Sequence, residues 1–351
     1  MWTGSEYLVW GSEAGEADGT GRADGWRYDP ESDTVRDIPV APIAPRDNGA
    51  GVWTGAELIV CCGRSQHQGQ PGYDTASAAA FDPATDTWRA LAPPPAEAGG
   101  YAVGAAWTGS SMLVAIQMGD PNTEFLGNDG LGLYACDPAT DTWEELATPP
   151  YGDRFGELVW TGDRLVIWFQ KARGVDGGIV YDPRPTRGLV ASTPERPPRL
   201  LRQRSVGGGP VGRVRHRSEG GARPEDALVD DDRSSTVGYR LRLGDDTWQP
   251  RAPAPLRPID FYNGTPGSQT LVADPVGGRV VVYPTHGYES GAGGIEGATP
   301  PRLLTYNPST DIWTDLGRDL GGAPYEPELL VGGDHLFRPD KARPDVLVLP
   351  R

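Results

Sequence analysis

Short apolar runs separated by polar turns fill most of this chain. From 50 to 91 the order is AGVW, a polar Thr-Gly pair, ELIVCC, a long polar stretch, SAAAF, then DPATD running into DTWRAL. Such runs, bounded by Gly, Pro, Asp and Thr, predict β-strands joined by tight turns. The first strand is expected at 50–53, the second at 57–62, the third at 77–81 and the fourth at 86–91. ELIVCC is almost wholly apolar and fits the buried middle of a sheet. Gly55 supplies the positive φ of a hairpin turn. In Asp82-Pro83-Ala84-Thr85-Asp86, proline presets φ, and the Asp and Thr side chains can bond nearby backbone N–H groups. Trp88, on the fourth strand, is expected to pack on the next unit. Long helical patterns with apolar residues at i, i+3, i+4 and i+7 are absent from the sequence.

The whole pattern repeats. FDPATDTWRAL (81–91) has near-copies at 28–38, 136–146 and 306–316, and VWTGAELIVC (52–61) has near-copies at 1–10, 106–115 and 159–168. Tryptophans at 2, 53, 107 and 160 are spaced by 51, 54 and 53 residues. A period of about 50 residues with β-type units predicts a propeller, one four-stranded blade per repeat. The repeated carboxylates are therefore expected to build turns, since a catalytic site is needed only once.

The paired phrases FDPATDTW and VWTGAELIV resemble the Kelch repeat, which also builds the central domain of galactose oxidase. The resemblance covers most of 1–182 and 236–351. It implies an all-β, Kelch-like β-propeller in a single domain over 1–351. Kelch repeats carry two adjacent glycines after the second strand. Here those places hold Trp10-Gly11, Cys61-Cys62-Gly63 and Gln117-Met118-Gly119. Counting repeats predicts seven four-stranded blades, with six as the alternative and the last blade incomplete. A strand upstream of Met1 is expected to complete the ring.

Residues 183–235 break the pattern. Ten arginines lie between 184 and 223, against Glu195 and Glu219 alone, and no Trp, Tyr or Phe occurs there. The segment reads as a diverged blade, a basic insertion or a frame-shifted stretch. The blade and frame-shift readings are favoured over a functional basic arm. GLVAS (188–192) and GRVRHR (212–217) are its weak strand candidates. A formal Gly-x-Gly-x-x-Gly at 207–212 has no preceding apolar strand and carries Pro210 where a helix would start, so it does not predict dinucleotide binding.

Composition adjusts this picture in a few places. There are 49 glycines, 35 prolines and 11 tryptophans in 351 residues, which suits many short strands and turns. The net charge of −16 argues against a nucleic-acid partner. No apolar run approaches the roughly 20 residues of a membrane-spanning helix, so no membrane insertion is expected. The start shows no signal peptide, although proteins with this repeat are often exported. Three cysteines give no disulfide framework. Cys61 and Cys62 are expected to alternate sides of a strand as small buried residues.

Chain parity then places candidate function. The 1–2 and 3–4 turns share one face of a blade and are short and repetitive. The 2–3 loops and inter-blade links share the other face and vary, which is where binding usually sits. Candidate ligand-binding residues there are Arg46, Arg154, Arg257, His67, His286 and Tyr288. The arginines suit a carboxylate or sugar hydroxyls, and the His and Tyr residues add hydrogen bonds and stacking. The four histidines are scattered without metal-ligand spacing. The two Tyr, two His and Tyr–Cys cross-link of the galactose oxidase copper site have no counterpart motif. No metal, cofactor or catalytic residue is expected. The expected function is non-catalytic binding of a protein, peptide or glycan by a monomer. The alternative is a carbohydrate-active enzyme of sugar epimerase or oxidase type.

Overall fold

A computed structural model describes residues 1–11, 23–46, 49–63, 66–67, 70–71, 77–95, 100–118, 131–146, 154–170, 176–182, 188–192, 212–214, 237–241, 248–253, 255, 261–262, 265–266, 269–274, 279–284, 303–317, 330–332, 334–338 and 345–349. Among these the structure is all-β, with several four-stranded antiparallel sheets and no helix. The chain divides into two units, Met1–Thr193 with Gly208–Pro210, and Pro194–Gly207 with Val211–Arg351.

The first unit holds four sheets of three or four strands in chain order, besides the two-stranded pair Gln66–His67 and Gln70–Pro71. The first sheet has strands Tyr7–Trp10, Gly25–Asp29 and Thr34–Ile38. Trp2 adds a single bridge to Tyr7. The second has Ala50–Trp53, Leu58–Cys61, Ala78–Asp82 and Thr87–Leu91, within a residue or two of the expected bounds. The third has Gly100–Trp107, Met112–Met118, Leu131–Asp137 and Thr142–Leu146. The fourth has Arg154–Trp160, Leu165–Gln170, Asp176–Asp182 and Gly188–Ser192. In each of these sheets the strands lie in chain order, three in the first and four in the others, with every neighbour antiparallel.

The apolar second strands follow from packing on both faces. Alternate residues point to opposite sides of a sheet. Ile59 and Cys61 join a core with Met112, Val114 and Ile116 of the third sheet. Leu58 and Val60 join a core with Leu8 and Ile38 of the first. Leu113 and Ala115 in turn pack with Leu158, Leu165 and Tyr181 of the fourth. A strand sandwiched this way has no solvated face, so Leu58–Cys61 is buried at every position. Phe81, fully buried in the first-to-second core, contributes about 1.5–3 kcal/mol by burial alone. The first strands of the second, third and fourth sheets lie beside one another.

The second unit repeats the scheme. Val237–Leu241 pairs with Trp248–Pro253. A five-stranded sheet has the order Gly212–Val214, Gln269–Asp274, Arg279–Pro284, Leu304–Asn307 and Ile312–Asp315. Leu330–Gly332, His335–Arg338 and Asp345–Val348 form a three-stranded sheet.

Most of 183–235 lies outside the described residues. The two described stretches are both strands. Gly188–Ser192 is the outer strand of the fourth sheet, where Leu189 faces Tyr181 as Trp143 faces Cys136 in the third. Leucine thus holds the register position that tryptophan holds in the third sheet. Gly212–Val214 pairs with Gln269–Leu271.

Candidate functional site

Each sheet presents two edges, and the short-turn edge is built identically again and again. In the Trp-Thr-Gly phrase the Thr hydroxyl accepts from the backbone N–H three residues on. This occurs at Thr3–Glu6 (2.9 Å), Thr54–Glu57 (2.8 Å), Thr108–Ser111 (2.9 Å) and Thr161–Arg164 (3.2 Å). The glycines that follow have φ of 110, 101, 103 and 104°, values that L side chains rarely adopt.

The Asp-Pro turns repeat as closely. The leading Asp or Asn accepts from the N–H two residues on, at Asp29–Glu31 (2.8 Å), Asp82–Ala84 (2.8 Å), Asp137–Ala139 (2.9 Å) and Asn307–Ser309 (2.9 Å). Asp33, Asp86, Asp141 and Asp311 then take left-handed backbone, φ 52–60°. Donated hydrogen bonds hold several of these carboxyls below the usual range. The main donors are the Ser32 hydroxyl for Asp29, the Ala84 N–H for Asp82, the Ala139 N–H for Asp137 and the Tyr306 hydroxyl for Asp311.

The motif's Trp and second Asp reach back to the preceding sheet. The indole N–H of Trp88 donates to Pro39 O at 2.7 Å, that of Trp143 to Ala92 O at 2.7 Å, and that of Trp313 to Ala252 O at 2.8 Å. Asp141 and Asp311 accept from the N–H groups of Ala92 and Ala252, at 2.7 and 2.9 Å. Trp88 also packs on Trp10 of the first sheet, ring centroids 5.9 Å apart. This corrects the expected direction, since Trp88 clasps the preceding unit and not the next. The reach forward is made by Arg27 to Pro83 O (2.7 Å) and Arg89 to Pro138 O (3.3 Å). Glu57 grips Arg89 with both oxygens, at 2.8 and 2.7 Å, and Glu6 pairs with Arg36 at the matching place.

At the opposite edge lie Arg46, Arg154 and His67, three of the candidate residues. Arg46 is only 3% exposed. Its guanidinium donates to Ala44 O (3.0 Å), Cys62 O (3.0 Å), Ser77 O (3.2 Å) and Ser77 Oγ (2.6 Å). It therefore braces the end of the second strand against the start of the third, at the root of the loop 63–76. Arg154 starts the first strand of the fourth sheet, its backbone opposite Gln170. His67 lies in a two-residue ladder of Gln66–His67 with Gln70–Pro71. Arg257, His286 and Tyr288 lie outside the described residues. The structure thus gathers Arg46 with Ser77 and Cys62, two residues the sequence pattern did not single out for this place.

Cys61 and Cys62 do not alternate sides as expected. Cys62 takes left-handed backbone, φ 61°, and the two Sγ atoms lie 2.6 Å apart. That conformation costs a non-glycine residue about 1–2 kcal/mol, offset by the Arg46 bond and by Cys62 N–H donating to Ser77 O at 3.3 Å. Burial raises the Cys61 thiol well above its usual range and pushes Cys136 up to about 12. Among the described residues no three His, Cys, Asp or Glu side chains form a group able to hold a metal ion.

No family model matches the chain, and no curated protein matches it in sequence.

Proposed function

We propose that this chain is a Kelch-like β-propeller of seven blades, the last incomplete. It acts as a monomer and binds a protein, peptide or glycan, without turning it over, on the edge that carries the long loops. The observation that carries this reading is the occupation of the other edge. The described short turns spend their Thr, Asp and Trp side chains on the protein itself. Surface left for a partner is then the edge of varied loops on a rigid frame. The propeller part is supported by sheets that follow one another in chain order, share cores on both faces and set their first strands side by side.

The test is a screen of the intact chain against glycan arrays and displayed peptides, followed by variants on each edge. His67→Ala, Arg154→Ala, Arg257→Ala, His286→Ala and Tyr288→Ala probe the loop edge. Ala84→Glu and Ala139→Glu probe the exposed turns. The expected result is a loss of about tenfold or more in affinity, roughly 1.4 kcal/mol, from loop-edge variants only. Loss confined to the turn variants would reverse the assignment. Turnover of a captured sugar would replace binding with catalysis.

A further inference from the structure

Cys61 ends the second strand of the second sheet, and Cys62 follows it directly. In a continuing strand their thiols would stand on opposite faces. The left-handed turn at Cys62 brings them to one side, Sγ to Sγ 2.6 Å. Backbone in a sparsely populated region persists only where its surroundings enforce it, and such places are where function is sought. Here Arg46 holds Cys62 O at 3.0 Å and Ser77 O accepts from Cys62 N–H at 3.3 Å. Both thiols are fully buried in the core between the second and third sheets. Two adjacent thiols are thereby held on one side of the chain, on a backbone fixed by Arg46 and Ser77.

We propose that Cys61 and Cys62 form a redox-modification site, a dithiol that closes to a vicinal disulfide by exchange with a low-molecular-weight disulfide of the glutathione disulfide class. One cysteine, as thiolate, attacks a reagent sulfur, forms a mixed disulfide and releases one reagent thiol. The second cysteine attacks the protein sulfur of that mixed disulfide and releases the other reagent thiol. In sum the two cysteines lose two electrons and two protons, and the reagent disulfide takes up both as two thiols.

Consecutive Cα atoms lie about 3.8 Å apart, below the about 4.4–6.8 Å that ordinary disulfides span. The closed ring is therefore tight, and a tight disulfide is easily reduced. This places the bond among labile, reversible ones. Both sulfurs are fully buried, so the reagent meets them only when this end of the sheet opens locally; desolvation also disfavours the Cys61 thiolate, so closure is slow near neutral pH and quickens as pH rises.

The test uses the intact chain, which has three free thiols. It is treated with glutathione disulfide at mildly alkaline pH, quenched in acid, denatured, alkylated and weighed. The expected product keeps one alkylatable thiol, mapped to Cys136, has lost two hydrogens, stays monomeric and carries no glutathione. Dithiothreitol restores all three thiols. Cys136→Ser is expected to lose both of its remaining thiols in the same way, and the wild-type measurement stands even if that variant does not fold. Retention of all three thiols while the denatured chain oxidises would overturn the proposal. So would a stable glutathione adduct on Cys61 or Cys62, or a disulfide that includes Cys136 or a second chain.

Discussion

The junction between the first and second sheets and the one between the second and third use the same words. Residues 82–88 and 137–143 both read Asp-Pro-Ala-Thr-Asp-Thr-Trp. Both tryptophans donate to a carbonyl of the preceding sheet at 2.7 Å. Only the second junction adds the carboxylate bond, from Ala92 N–H to Asp141. At the first junction the facing residue is Pro39, which has no N–H to give. Asp86 instead lies 3.4 Å from the Arg27 guanidinium. The junction between Trp248–Pro253 and the sheet that follows returns to the two-bond form, with Ala252 facing Asp311 and Trp313. One motif thus closes in two ways, and the residue it faces decides which.

The largest expected effect is Trp143→Ala. It removes a half-buried indole and the partner of Ala92 O, for about 2–4 kcal/mol in urea unfolding. Trp88→Ala is expected to cost a similar amount, because the indole bond is common to both junctions. A cost below about 0.5 kcal/mol, the range of ordinary surface changes, would mean that the indoles do not hold the sheets together.

Asp141→Ala should cost about 1 kcal/mol more than Asp86→Ala, since only the former strips a backbone N–H of its acceptor. Both aspartates have left-handed backbone, so that shared strain cancels in the difference. Pro39→Ala sharpens the comparison further by supplying the missing N–H. A double-mutant cycle of Pro39→Ala with Asp86→Ala should show a coupling of about 0.5–1 kcal/mol. Zero coupling would mean that geometry, and not the missing donor, sets the first junction apart.

The smallest effect is in acid. Asp29, Asp82, Asp137 and Asp311 have folded-state pKa values below their unfolded ones. Their contribution is present above the unfolded value, about 3.9. It is lost as pH falls through the folded value. Unfolding midpoints should be flat from neutrality to about pH 4 and decline below it. Asp82→Asn and Asp137→Asn, which keep the accepting oxygen, should shrink that decline.

Much of this architecture was legible in the sequence, because strands packed on both faces must be apolar throughout and turns with fixed φ must carry Gly or Asp. Leu58–Cys61 and Gly55 follow directly from those two requirements. The direction of the tryptophan clasp was not legible. An indole N–H can bond either neighbour, and only the course of the chain after Ile38 and Leu91 decides between them. The left-handed turn at Cys62 was equally hidden, since no local propensity asks for it and Arg46, 16 residues away, enforces it. Of the candidate ligand residues, only Arg46 has a described side-chain environment, and its guanidinium is spent on protein oxygens. The loops on that edge differ from repeat to repeat, so no periodic pattern singles out residues there.

The central claim is that the repeated phrase builds the junctions between sheets. Hydrogen exchange at the indole N–H groups of Trp88, Trp143 and Trp313, read by NMR on the intact chain, tests it most directly. Strong protection of all three, lost at Trp143 when Ala92 and its neighbours open in denaturant, is the predicted result. Exchange of all three at the rate of the unfolded chain would contradict it and return the motif to the free surface.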